Sequence, residues 1–175
     1  MAAGMIPARE NAMPHTDADR SRRIDQYAEG PERLRAAIEA VPEDARKWRP
    51  GEGKWSAHEV VCHCADAEVT AAVRLRFLLC EADPVIQGYD EAKWARELGY
   101  HEFPLEPSLE AVRAVRGHTT ALLRTLRPGD WTKTGRHSVS GEWSVDRWLT
   151  IYSEHVHKHA GQIERNLAAW RSKIA

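Results

Sequence analysis

Pro50-Gly51-Glu52-Gly53-Lys54-Trp55-Ser56-Ala57-His58-Glu59 runs from a turn into the start of a helix. Proline and glycine suit the turn, and Ser56 with Glu59 three residues later forms a capping box. In that box the serine oxygen accepts the Glu59 N–H while the glutamate reaches back to the Ser56 N–H, so two amides that a helix start leaves orphaned find partners. The helix is expected to run from Ala57 to about Leu79, before Asp83-Pro84 stops it. An echo of this stretch, Gly141-Glu142-Trp143-Ser144, precedes a second long helical pattern that reaches about Arg171. In both places a tryptophan stands just before the cap, where it can staple the incoming chain to the helix.

Working outward, helical periodicity begins at Ile24. Gly30-Pro31 reads as a break, with a new helix from the proline to about Ala40 and an apolar stripe of Leu34, Ile38 and Val41. A further helix is expected from Ser108 to about Leu126, with Leu109, Val112, Val115, Leu122 and Leu126 facing a core, ended by Pro128-Gly129-Asp130. Residues 83–107 form a long connection with prolines at 84, 104 and 107; one short helix from Asp90 to about Leu98, capped by Gly99, lies within it. Long ordered connections of this kind often act as lids. Residues 131–142 fit a short hairpin or an irregular loop. Residues 1–18 read as a loose tail and 19–175 as a single domain. Four substantial helices, long crossovers and little strand signal predict an all-α fold, a four-helix bundle with long crossover loops.

The 175 residues suffice for one core without disulfides or a structural metal. With 25 basic and 26 acidic residues and a formal net charge of −1, no global field draws in nucleic acid or an anionic membrane. The most basic run, Arg20-Ser21-Arg22-Arg23, is interleaved with Asp17, Asp19 and Asp25 and reads as solvated surface. No segment approaches the roughly 20 apolar residues of a membrane span. Three cysteines, Cys62, Cys64 and Cys80, make no disulfide framework, and the N-terminus lacks a basic region followed by an apolar one. A soluble, reduced, cytoplasmic protein is expected.

The chemistry concentrates in Glu154-His155-Val156-His157-Lys158-His159-Ala160-Gly161-Gln162. On a wheel of about 100° per residue, His155, His159 and Gln162 share a face with Trp148, Tyr152, Ile163 and Trp170, whereas His157 falls about 180° away on the polar side and is expected at the surface. His155 and His159, one turn apart, have the spacing to close on one ion, but two imidazoles make a weak site. His63 is the candidate third ligand. It follows Ser56 by nearly two turns, and His155 and His159 follow Ser144 by eleven and fifteen residues, so similarly arranged helix entries would let all three project from the same relative face into the bundle centre. Cys62 and Cys64, two apart on a helix, point about 200° apart and read as small packing residues. On spacing alone, three separate core histidines, each satisfied by local hydrogen bonds, remain an alternative. A metalloprotease H-E-x-x-H pattern is rejected, because Val156 stands where the glutamate belongs.

Gly53-Lys54-Trp55-Ser56 with Glu59 and His63, the segment from Asp83-Pro84 to Gln87-Gly88-Tyr89-Asp90, and His155 with His159 followed by Gly161-Gln162-Ile163 together resemble the DinB-like superfamily of metal-binding four-helix bundles. The resemblance covers about residues 24–171. It implies a divalent metal held by His63 from the second main helix and by His155 and His159 from the last. The common family form has a second histidine directly before the final ligand, where this chain has Lys158.

Three neutral imidazoles leave an ion its full charge and an open position, which suits activation of water or of a low-molecular-weight thiol. The resemblance therefore implies a metal-dependent hydrolase or thiol S-transferase acting on a small molecule, with the 83–107 connection over the open side. Asp66 and Arg74 are candidates for proton transfer or anion binding, and Gln162 for support of a ligand. Imidazole suits zinc, nickel, copper and iron alike. The other reading is a non-catalytic metal-binding or stress-related module, pairing as a homodimer, whose ion serves stability or sensing.

Overall fold

The computed structural model describes residues 15–174, so residues 1–14 of the expected 1–18 tail lie outside the described residues, while Asp17 and Ala18 are already helical. Four long helices dominate: α1 (Asp17–Glu39), α3 (Ala57–Cys80), α5 (Leu105–Leu123) and α6 (Val145–Ile174). Short helices α2 (Glu43–Arg46) and α4 (Glu91–Glu97) lie in the connections, with one 3-10 turn at Pro128–Asp130. The fold is the expected four-helix bundle, with one small addition. The 131–144 region forms the hairpin of β2 (Thr134–His137) and β3 (Gly141–Ser144), and β1 (Val85–Ile86) pairs parallel with β2 in a three-stranded sheet of order β1-β2-β3. Gly141 takes φ +77° where the hairpin returns, a conformation that side chains with a Cβ avoid.

The capping box at Ser56 forms as the sequence predicts: Ser56 Oγ accepts the Glu59 N–H at 3.2 Å and Glu59 Oε2 accepts the Ser56 N–H at 2.8 Å. Thr16 and Asp19 form another, which explains why α1 starts ahead of Ile24. Ser144 Oγ accepts the Arg147 N–H at 3.1 Å at the head of α6. Helix α5 starts at Leu105, ahead of Ser108, because Pro107 falls in its first turn, where a missing N–H costs nothing.

The expected break at Gly30-Pro31 does not occur, since α1 continues through both residues. Pro31 lacks the N–H that would have bonded the Tyr27 carbonyl. That carbonyl instead accepts Arg116 Nη1 of α5 at 2.6 Å, so a buried guanidinium from a neighbouring helix repairs the ladder. Gly30 makes the approach possible, because a Cβ there would stand 2.9 Å from Arg116 Cζ.

Each main helix packs on two others in the order α1, α6, α3, α5, which leaves α1 diagonal to α3 and α5 diagonal to α6. Two of the three steps along the chain, α1 to α3 and α5 to α6, thus cross the diagonal, whereas α3 and α5 are neighbours. The core divides into two apolar halves. One gathers Leu34, Ile38, Val60, Val61, Val112 and Ile163; the other gathers Tyr27, Leu75, Leu78, Leu123, Trp148 and Leu149. Between them, at one height on all four helices, stand Gly30, Glu68, Arg116 and His155.

Candidate metal centre

His63 projects from α3 nearly two turns beyond its Ser56 cap, and His155 and His159 project from successive turns of α6, the adjacent helix. Ring centroids are 5.4 Å apart for His63 and His155, 4.7 Å for His63 and His159, and 4.6 Å for His155 and His159. One nitrogen from each ring lies within 4.8 Å of the others. Two nitrogens on a tetrahedral ion at ~2.1 Å stand roughly 3.4 Å apart, so a shift of about 1 Å in the side chains closes the set on one cation. Trp55, the residue before the Ser56 cap, lies against His63 with centroids 4.8 Å apart and so limits where that ring can turn.

The donor set fits a divalent cation. Neither ring nitrogen of the buried His63 has a hydrogen-bond partner among the described residues, and the same holds for His155 Nδ1. Buried polar atoms are nearly always paired, so imidazoles satisfied separately by the protein do not describe this cluster. Burial, helped by the neighbouring His159, pushes the His63 pKa down to about 3, and burial likewise lowers His155 and His159. All three are therefore neutral at pH 7 with a lone pair to give. His159 Nδ1–H donates to Gln162 Oε1 at 3.0 Å, which directs its Nε2 away from Gln162, and the Gln162 role expected from sequence has this geometric basis.

His157 is where the sequence reading needs correction. It does not stand free at the surface, because its Nε2–H donates to the Gln26 carbonyl of α1 at 2.8 Å. The polar side of α6 packs on α1, which a single-helix wheel does not show. His157 has no part in the cluster. Cys62 and Cys64 are buried as expected, and burial raises both thiols, that of Cys62 to about 11, so neither is a thiolate at neutral pH.

Asp66 accepts the Tyr100 hydroxyl, and Arg74 donates to Tyr152 Oη at 2.8 Å and to the Gln87 carbonyl at 2.7 Å. Both therefore tie the 83–107 connection to α3. His58 adds a third tie, its Nε2–H donating to the Phe103 carbonyl at 2.7 Å. The connection is thus pinned along the helix that carries His63.

Two buried charges escaped the sequence reading. Glu68 and Arg116 are both fully buried and paired at 2.7 Å, with Tyr27 Oη donating to Glu68 at 2.9 Å. A signal existed in their spacing. Glu68 falls in the apolar register Val61, Cys64, Ala71, Leu75, Leu78, and Arg116 in the register Leu109, Val112, Leu123, so each is a charge at a core position.

Comparison with known proteins bears on the family and the fold. A protein of Oceanobacillus iheyensis, named as a candidate metal-dependent hydrolase, is 37% identical over 111 residues, covering 63% of this chain and 64% of its own length. The matched part is thus a little under two thirds of that relative. YfiT of Bacillus subtilis, also named as a candidate metal-dependent hydrolase, is 28% identical over 141 residues, 80% of this chain and 79% of its own. A YfiT structure, described as having an unusual four-helix bundle topology, superposes with a TM-score of 0.84 over 90% of this chain and 91% of that one, at 24% identity. The sequence profile of the DinB superfamily matches residues 26–163, and the chain belongs to that superfamily.

Proposed function

We propose that the chain is a divalent-metal-dependent hydrolase of small molecules, its ion held by His63, His155 and His159. The observation that carries this reading is the buried, unpartnered pair of ring nitrogens on His63, facing two further neutral imidazoles. When bound, a divalent ion with three neutral ligands keeps its charge and an open position, and lowers the pKa of water from 15.7 towards about 7. The names of the relatives support hydrolysis. The protein's part is to keep the three imidazoles neutral by burial, to hold the His159 ring through Gln162, and to wall one side with the connection pinned by Arg74, Asp66 and His58.

Metal content by plasma mass spectrometry, on untagged protein, tests the site. Near one equivalent is expected in wild type, with losses of about tenfold or more in His63→Ala and His159→Ala. Less than about a tenth of an equivalent in wild type, unchanged in both variants, removes the metal reading. Ester and amide hydrolysis, and thiol consumption with electrophiles, are then assayed with and without chelator. Chelator-sensitive hydrolysis assigns water as the nucleophile, chelator-sensitive thiol consumption assigns a thiol S-transferase, and metal without turnover assigns a binding module.

A further inference from the structure

Glu68 is fully buried, and its two carboxylate oxygens are shared among three helices. Oε2 accepts the Tyr27 hydroxyl of α1 at 2.9 Å, and Oε1 accepts Arg116 Nη2 of α5 at 2.7 Å. The same Oε1 stands 3.9 Å from Nδ1 of His155 on α6. That nitrogen is buried and has no hydrogen-bond partner among the described residues. A carboxylate has about four lone-pair positions, and these two donors leave capacity for a third.

We propose that Glu68 is a positioning residue for His155: its Oε1 takes the Nδ1–H, fixing the tautomer that leaves Nε2 as the lone-pair donor to a divalent cation. The proposal rests on the metal reading of the three histidines. An imidazole carries its proton on the nitrogen that faces an acceptor, and a carboxylate oxygen stands 3.9 Å from Nδ1. A movement of about 1 Å brings 3.9 Å to hydrogen-bond length. Glu68 is itself held out of reach of the cation, because Arg116 grips it while also donating to the Tyr152 carbonyl at 2.9 Å and to the Tyr27 carbonyl at 2.6 Å. The guanidinium matches the carboxylate charge, so His155 gains a strong acceptor without the centre gaining net charge. His159 shows the same logic with a neutral acceptor, Gln162. Acceptors of this kind raise ligand basicity and hold the ring in the plane the metal needs.

Two measurements decide the matter. Long-range nitrogen–proton correlation spectra of metal-free protein report imidazole tautomers directly, and wild-type His155 is expected as Nδ1–H. Removing Glu68 alone strands the Arg116 charge, so the informative variant is the double substitution Glu68→Met with Arg116→Met, which replaces a buried ion pair by apolar side chains and preserves folding in comparable cases. In that variant the Nδ1–H form is expected to lose its dominance, and the zinc dissociation constant, from competition with a chelator, to rise about 10- to 100-fold. His157→Ala, on the same helix, is expected to leave both readouts at wild type. A wild-type Nε2–H tautomer, or an Nδ1–H form unchanged in the double variant, overturns the role of Glu68. Should wild type take up no zinc, the metal reading fails by itself, while the tautomer spectra still decide what Glu68 does to His155.

Discussion

His157 and His159 stand two residues apart on one helix and meet different environments. His159 looks into the cluster with its Nδ1 tied to Gln162, whereas His157 looks at α1 and gives its proton to the Gln26 carbonyl. His157→Ala should therefore leave metal content unchanged and lower unfolding stability by about 1 kcal/mol, the net worth of one partly buried hydrogen bond. Urea titration beside metal analysis checks both halves, and a large loss of metal would show that His157 serves the centre. Which histidines face inward was legible, because helix phase is a property of the chain alone. What His157 touches was not, since it depends on which helix lies across that face. The same division applies to Glu68 and Arg116: their core registers can be read from sequence, but their pairing across α3 and α5 cannot.

Among the elements, α1 shows how a local rule yields to a neighbour. Gly30-Pro31 reads as a helix break because proline removes an N–H and glycine weakens the helix. The break is prevented by Arg116, which supplies the missing donor to the Tyr27 carbonyl and lies over the Tyr27 ring at 4.1 Å. Gly30 is therefore a packing requirement, despite the poor helix propensity of glycine. Gly30→Ala would improve propensity by up to about 1 kcal/mol, yet it pushes the Arg116 guanidinium from its place beside Glu68. Disturbing a buried ion pair costs about 3–5 kcal/mol, so a net destabilisation of about 2–4 kcal/mol is expected by denaturant unfolding. A neutral or stabilising result would show that the guanidinium relocates freely. The long connection also became definite only in three dimensions. Its short helix was legible from Asp90 and Gly99, whereas β1 depends on β2, which lies far along the chain.

Across the whole molecule, two apolar halves sandwich a polar layer that includes neutral imidazoles. That arrangement sets a pH dependence for the metal-free protein. His63 has an ordinary pKa of 6.5 in the unfolded chain and about 3 when folded. Above pH 6.5 neither state binds the proton, so stability does not change through this group. As pH falls below 6.5 the unfolded chain takes up a proton that the folded one refuses, and stability declines progressively towards about pH 3. His155 and His159, also lowered by burial, add to the decline. Urea midpoints of metal-free protein at pH 7.5, 6 and 5 are expected to fall in that order, with a flatter profile in His63→Gln. A wild-type profile that is flat or rises towards acid would contradict the burial of neutral histidines.

The chain by itself determined the four long helices, the capping box at Ser56, the inward faces of α3 and α6, and the three histidines that share them. These follow from short-range rules: periodicity, capping and side-chain direction act within a few residues. Only the tertiary structure decided the diagonal placement of α1 against α3 and of α5 against α6, the continuity of α1 through Pro31, the contact of His157 with α1, and the Arg116–Glu68 pair placed beside His155. Each of these depends on a partner contributed by another helix, and helix phase carries no record of which face a distant segment will cover.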